Sequence, residues 1–275
     1  MKLGLLRFVY NGILTGMPLF TYNPITKTPL HVPFTICSHS TYINYELSSS
    51  QRHVLNHYIQ SYDPTMEINP IKMLSHETKS IPYLSINVYN CSSPIFFNDN
   101  EEITRFEINT YVRKWNSKTQ TFDYGTVILD YTSNSLSMDP VQLFKQKQDV
   151  VLDFPKEKKG PTFVRSQSLK DDLFFRLSFT PSYFSSRDKI KNKDNLELHE
   201  DLIQYSDVIY YKNGIYDKLY YDSSLVQAQI EAPFMFHYNE FVYKDLELHE
   251  PKHIFYFKKP ISFVGSMWEN IFSLP

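Results

Sequence analysis

Glycine is scarce in this chain, with seven residues in 275. No Walker loop, GxGxxG run or GxSxG elbow occurs, which excludes nucleotide binding and serine hydrolysis through those devices. Cysteine is scarcer still. Cys37 and Cys91 cannot build a disulfide framework or a Cys-rich zinc site by themselves, and neither sits in a local catalytic signature, so both read as buried thiols. No uninterrupted apolar run reaches the ~18 residues of a membrane-spanning helix. With 28 Lys and Arg against 30 Asp and Glu, the net charge is −2. Neither sign dominates, so no broad basic nucleic-acid footprint and no nucleic-acid partner is expected.

Acid is also missing from one end. No Asp or Glu precedes Glu46. Lys2 and Arg7 on an apolar, acid-free stretch fit a mitochondrial presequence, and such a stretch also suits a membrane-associated or protein-assembly contact. Against a presequence, the segment is poor in Arg and Ser and soon meets Pro18. The plain alternative is a segment packed on the domain, so residues 1–32 are set apart and the compartment is read as cytoplasmic or mitochondrial.

What the chain has in excess is aromatic side chains, 21 Tyr and 21 Phe, in a composition that is 42% apolar and 21% charged. Tyr and Phe favour strands and large cores. Thr41 to Leu47 alternates polar and apolar residues, as a half-buried strand does. Ser48 with Gln51 forms a capping-box pattern, and Val54, Leu55, Tyr58 and Ile59 make one stripe, so a helix is predicted over about 51–61 and stopped at Asp63-Pro64. Further strands are predicted at Tyr83–Asn90, Thr104–Trp115, Gly125–Tyr131, Leu173–Thr180, Asp207–Tyr211, Ile215–Tyr221, Leu225–Glu231 and His253–Phe257. Asn213-Gly214 predicts a type I′ hairpin turn, and the polar loop Asn116 to Thr121 predicts a second hairpin. Lys156–Gly160 and the charge-dense stretch Ser185–Asp201 read as solvated loops. The pentapeptide LELHE occurs at 196–200 and 246–250 without matching flanks and is no repeat.

Few residues announce chemistry. His53 and His57 share one face of the predicted helix, but no third ligand or general base accompanies them, so no metal is expected. No cofactor is expected. Lysine pairs are more suggestive, because a lysine in an apolar pocket beside a second cation has a depressed pKa and can form an imine with a ketone. The pairs are Lys145/Lys147, Lys158/Lys159 and Lys258/Lys259. On a strand, only Lys145 and Lys147 would share a face. A solvated surface is the plain reading of each pair.

Read in order, VPFTICSHSTYINYELSS, PYLSINVYN, RFEINTYVRKWNSKTQTFDYGTVILDYTSNSL, DVIYYKNGIYDKLYYDSSLVQAQIEAPF and PKHIFYFKKPISFVGSMW resemble the segments of the acetoacetate decarboxylase-like superfamily. The pattern is nearest to a bacterial branch that has no assigned activity. In that branch the third segment carries Asn-Glu, an Asn and Thr-Tyr-Val; here Glu107, Asn109 and Thr110-Tyr111-Val112 stand there, with Phe106 in place of the first Asn. The likeness spans most of residues 33–268 and is one of segment order. Decarboxylating members place Gly-Arg-Glu shortly before adjacent lysines. In that neighbourhood this chain runs from Met138 to Lys147 without those three residues, and Gln146 separates Lys145 from Lys147.

The expectation is one β-rich α+β domain over 33–275, a large antiparallel sheet curled into a barrel or cone with a few short helices. The resemblance implies a central cavity, and the aromatic strand faces (Tyr210, Tyr216, Tyr220, Phe255, Phe257) suit a small, partly apolar ligand. Two functions compete. One is ligand binding without standard decarboxylase activity. The other is a Schiff-base enzyme for a keto acid or related carbonyl compound, with Lys145 forming the imine, Glu107 handling protons and Arg113 holding a carboxylate. Glu107 and Arg113 also have a plain reading, as solvated charges six apart on one strand face.

Overall fold

The computed structural model describes residues 22–23, 28–29, 32–36, 40–92, 103–133, 150–153, 162–167, 173–180, 197–211, 216–220, 235–243, 246–248, 251–257 and 260–265. The strands are β1 (Tyr22–Asn23), β2 (Thr28–Pro29), β3 (Val32–Ile36), β4 (Ser40–Glu46), β5 (Met66–Ile68), β6 (Tyr83–Ser92), β7 (Ile103–Asn116), β8 (Thr121–Ser133), β9 (Val150–Asp153), β10 (Thr162–Gln167), β11 (Leu173–Thr180), β12 (Val208–Tyr210), β13 (Tyr216–Tyr220), β14 (Met235–Tyr243), β15 (Leu246–Leu248), β16 (His253–Phe257) and β17 (Ile261–Gly265). Helix α1 covers Ser49–Gln60 and helix α2 covers Glu200–Ser206.

Most strands belong to a ten-stranded sheet of order β16-β4-β6-β3-β17-β13-β12-β8-β7-β5, in which β6 also pairs with β7. A five-stranded sheet has the order β15-β14-β11-β10-β9. Alternation along the large sheet sorts its side chains. Ile43 and Tyr45 of β4, Ile86 and Val88 of β6, Phe106, Ile108 and Val112 of β7, and Val127 and Leu129 of β8 fall in one buried cluster. The cluster continues through Leu55 and Ile59 of α1 to Tyr243, Leu246 and Leu248 of the smaller sheet, so both sheets share it.

Helix α1 begins where its sequence says. The Ser48 hydroxyl accepts from the Gln51 N–H at 3.3 Å, and the Gln51 side chain accepts from the Ser48 N–H at 2.9 Å. This is the reciprocal capping box, which satisfies two orphan backbone donors. The expected hairpin across residues 116–121 is present, with Asn116 opposite Thr121 and Gln120 in the left-handed region at φ 56°.

Several expectations need correction. The large sheet is mixed rather than antiparallel. Strand β12 runs parallel to β8, with Ile209 opposite Thr126 and Tyr210 opposite Val127. The connection from β8 to β12 runs through β9, β10 and β11 of the smaller sheet and then α2, the long crossover that a parallel pair requires. The loop expected up to Asp201 is also not loop throughout. Leu198 bridges Leu74, the His199 N–H donates to the Met73 carbonyl at 2.9 Å, and His199 caps α2 by accepting from the Asp201 N–H at 3.1 Å. Strands β12 and β13 pair antiparallel as expected, but Tyr210 faces Tyr216. That register is centred on residue 213, one residue away from the pairing of 212 with 215 that a two-residue turn would impose. The turn itself, the strand expected at 225–231, the lysine-rich loop 156–160 and most of residues 1–32 lie outside the described residues.

Two carboxylates fasten the connections. Glu77 accepts from the Met73 N–H at 2.6 Å, the Leu74 N–H at 2.9 Å, the Tyr83 hydroxyl at 3.2 Å and His253 Nε2 at 2.8 Å. Burial pushes its pKa up, but the Leu74 and Met73 amides and His253 together hold it below the ordinary glutamate value. Asp63 sits 2.8 Å from Lys114 Nζ and accepts from both the N–H and the hydroxyl of Thr65. Those partners outweigh burial and hold it low. Among the described residues, no helix is long and apolar enough to cross a membrane.

Candidate functional site

On a sheet with one solvated face, the polar half of an alternating strand faces water. Here that half is enclosed. Opposite the core cluster, Asn87 and Tyr89 of β6, Glu107, Asn109 and Tyr111 of β7, and Thr126 and Ile128 of β8 line a cavity of about 170 Å³. Leu202, Ile203 and Ser206 of α2 cover it, and Tyr42, Phe255 and Phe257 supply aromatic wall. The Tyr42 ring meets Phe257 edge-on at 5.0 Å and stacks on Tyr89 at 6.4 Å.

The cover is tied down by polar contacts. The Thr126 hydroxyl donates to the Tyr205 carbonyl at 2.9 Å, the Lys72 N–H donates to Asp201 at 3.0 Å, and the Asn69 amide donates to the Tyr205 hydroxyl. A helix of seven residues has too few internal hydrogen bonds to stand alone, so these contacts and the burial of Leu202 and Tyr205 hold it.

Charge sits at one end of the cavity. Arg105 Nε lies 2.6 Å from Glu107 Oε1, and their side chains are only 5% and 7% exposed. The Tyr89 hydroxyl donates to the same oxygen at 2.7 Å. Burying such a pair is costly unless hydrogen bonds complete it, and the tyrosine supplies one. Desolvation works against the Arg105 charge, but Glu107 beside it more than compensates and raises its pKa. Burial, opposed by Arg105 and reinforced by Glu107, raises the Tyr89 phenol. Burial raises Tyr42 likewise, with Glu107 adding to it, and pushes Tyr111 up to about 12. All three phenols keep their protons at neutral pH.

Two acceptors remain. Both contacts to Glu107 fall on Oε1, which leaves Oε2 to the cavity. Asn87 is 8% exposed, and its Oδ1 is buried without a hydrogen-bond partner. Most buried polar atoms in proteins are paired, so this orphan marks a lining side chain with unmet hydrogen-bonding capacity.

Of the expected site residues, the structure places Glu107 and Arg113 apart. Glu107 lines the cavity; it is buried, not solvated. Arg113 shares its strand face but lies beyond the cavity, where its Nε contacts Glu67 at 2.6 Å and its guanidinium covers the Phe122 ring at 4.5 Å. Lys145 lies outside the described residues, as do Lys147 and the other two lysine pairs. His53 and His57 are exposed on α1, and no group of three metal-ligating side chains occurs among the described residues. Of the aromatic residues expected at a cavity, Phe255 and Phe257 line it, whereas Tyr210 points into the core cluster. Sequence reasoning missed Arg105, Asn87 and Tyr89. Their signal was the polar halves of two alternating strands, Ser85-Asn87-Tyr89 and Arg105-Glu107-Asn109, which register places side by side.

No family model and no curated protein sequence matches the chain. Solved structures similar to it are acetoacetate decarboxylase and acetoacetate decarboxylase-like enzymes. The acetoacetate decarboxylase of Legionella pneumophila is 11% identical, with 86% of this chain and 85% of that one covered and a TM-score of 0.44. The enduracididine biosynthesis enzyme MppR, complexed with pyruvate, is 8% identical over 86% of this chain and 88% of that one, with a TM-score of 0.44. An acetoacetate decarboxylase-like enzyme from Sphingomonas wittichii is 7% identical over 86% and 91%, with a TM-score of 0.38.

Proposed function

We propose that the protein binds a small, partly apolar ligand in the cavity between the large sheet and α2, without standard acetoacetate decarboxylation. The observation that carries this reading is the orphaned Asn87 Oδ1 at a cavity lined mostly by aromatic and aliphatic side chains, with Glu107, Asn109, Thr126 and Ser206 among them. A dry cavity of about 150 Å³ holds a benzene ring, so the volume here suits a ligand of that size. The pairing of β6 with β7 joins strands that otherwise stand at opposite ends of the run β6-β3-β17-β13-β12-β8-β7, which supports a curled, barrel-like sheet around the cavity. The core cluster shared by both sheets supports one domain over 33–275.

The absence of decarboxylation rests on the lysines. An imine-forming lysine must be largely neutral near pH 7, several units below its ordinary ~10.4. Gln146 between Lys145 and Lys147 weakens the like-charge repulsion that an adjacent pair would supply. A Schiff-base enzyme is the second reading, and the burial of Glu107 in the cavity wall favours it, because a proton carrier belongs there. Lys145 would be its imine-forming amine. Arg113, paired with Glu67, is left out of the proposed site.

Saturation-transfer NMR with benzene-sized compounds tests the first reading. Binding is expected, and Ile203→Trp, which fills the cavity from α2, should abolish it while the melting temperature holds. Binding that survives the filled cavity would sink the reading. Borohydride reduction in the presence of keto acids, read by intact mass, separates the two. No adduct is expected; an adduct on Lys145, with carbon dioxide release from acetoacetate lost in Lys145→Ala, would establish the enzyme.

A further inference from the structure

We infer that the cavity selects a neutral ligand whose head group donates a hydrogen bond, a primary amide or an alcohol, and rejects carboxylates. The inference rests on the cavity-binding reading above and names its ligand class. Among the described lining residues, Glu107 is the one charged side chain. The nearby guanidinium of Arg105 is spent on it at 2.6 Å. A carboxylate entering beside Glu107 would meet a like charge in a low-dielectric pocket, with no uncommitted cation among the described wall residues. Such an arrangement discriminates by repulsion.

A donor head finds the opposite. Asn87 and Glu107 are directly opposite in the β6–β7 register, so the amide and the carboxylate are neighbours on one wall. Asn87 Oδ1 is buried without a partner, and Glu107 Oε2 is untouched by Tyr89 and Arg105, which both contact Oε1. An N–H or O–H seated against Glu107 Oε2 would also satisfy the orphan once the Asn87 amide turns its oxygen toward the cavity. A site built to hydrogen-bond a ligand discriminates strongly against the analogue lacking the donor, because its polar groups are then left unpaired. The rest of the ligand would rest against Phe255, Phe257 and Ile128, which offer no polar atoms.

The test is calorimetric titration of the full chain at neutral pH with benzamide, benzyl alcohol, toluene and benzoate, molecules of matched size. Benzamide and benzyl alcohol should bind about tenfold more tightly than toluene, the worth of a well-made hydrogen bond, and benzoate should bind more weakly than toluene. Asn87→Leu deletes an unsatisfied buried atom at nearly constant volume, so it should fold and narrow the preference for benzamide over toluene, with Glu107 Oε2 keeping the remainder. Benzoate binding as tightly as benzamide, or toluene matching benzamide in the unaltered protein, would overturn the inference and leave the cavity reading standing. Binding of none of the four, toluene included, would overturn the cavity reading and this inference with it.

Discussion

Asn87 and Glu107 face each other across the β6–β7 pairing, and both side chains lie on the enclosed side of the sheet. Cross-strand neighbours stand ~5 Å apart, so a single small head group can touch both. Their flanking residues, Ile86, Val88, Phe106 and Ile108, turn the other way into the core cluster. The same alternation therefore builds the hydrophobic core and the polar wall of the cavity. A register slip by one residue would exchange them.

The Arg105–Glu107 pair should behave as a unit. Arg105→Met alone leaves a buried carboxylate without its counter-charge and should cost about 3–5 kcal/mol, whereas Arg105→Met combined with Glu107→Leu should recover most of that loss. Denaturant unfolding of the single and double variants checks this. Additive losses would mean that the pair does not stabilise jointly.

Gly125 is set by a close approach of chains. A Cβ there would lie 2.6 Å from both Tyr210 Cε2 and the Val208 carbonyl oxygen. The tyrosine ring has some freedom, but the carbonyl belongs to the backbone of the residue that opens β12. Gly125→Ala should therefore destabilise by about 1–3 kcal/mol, the usual range for an overpacked site. The lowered melting temperature should come with weaker protection of β12 amides in hydrogen exchange.

The capping box at Ser48 makes a local prediction. Ser48→Ala removes the acceptor for the Gln51 N–H and should cost about 1 kcal/mol. Ser48→Asp keeps an acceptor and places an acid at the N-terminus of α1, where the first turn has none, and should match or exceed the parent protein. Equal melting curves for Ser48→Ala and the parent would refute a stabilising cap.

Acid should unlock the connections before the core. Glu77 and Asp63 both have folded-state pKa values below the ordinary 4.5 and 3.8. A depressed carboxylate binds its proton less readily folded than unfolded, so its stabilisation is full above the unfolded pKa and is lost as pH falls toward the folded one. Stability should decline below about pH 4.5, with Glu77→Gln and Asp63→Asn destabilising at neutral pH and flattening that acid limb. Denaturant titrations across the range test the sign; an unchanged limb in both variants would reject it.

Much of the architecture was written in local pattern. Leu173–Thr180 and His253–Phe257 form strands with the bounds expected, β7 runs one residue beyond its expected bounds at each end, and β8 starts well before Gly125, at Thr121. Helix α1 was legible because its cap and its stripe agree. Helix α2 was not, because seven residues do not show a period and its first turn, Glu200-Asp201, continues a charge-dense stretch. Strand β14, MFHYNEFVY, went unread because its aromatic residues stand at both odd and even positions of the sequence and mask alternation. The parallel pairing of β12 with β8 could not be read at all, since partner choice is decided by the docking of α2 and not by any local run. At the site, Glu107 stood out through the resemblance, whereas Arg105 and Asn87 looked like the wet half of ordinary strands. Only the cover supplied by α2 and β16 shows that this half is buried.

The outer edge of β4 is closed by β16, where the Asn44 amide reaches the His253 carbonyl across 209 residues of chain. β3 receives β17 in the same manner. During synthesis, at ~5–20 residues per second, those early edges would wait roughly 10–40 s for their partners to leave the ribosome. An unpaired aromatic edge of that duration is an invitation to the wrong strand. The nascent chain of this protein should therefore depend on ribosome-associated holdases more than its size suggests, and ribosomes stalled before β16 should carry a protease-sensitive, aggregation-prone sheet.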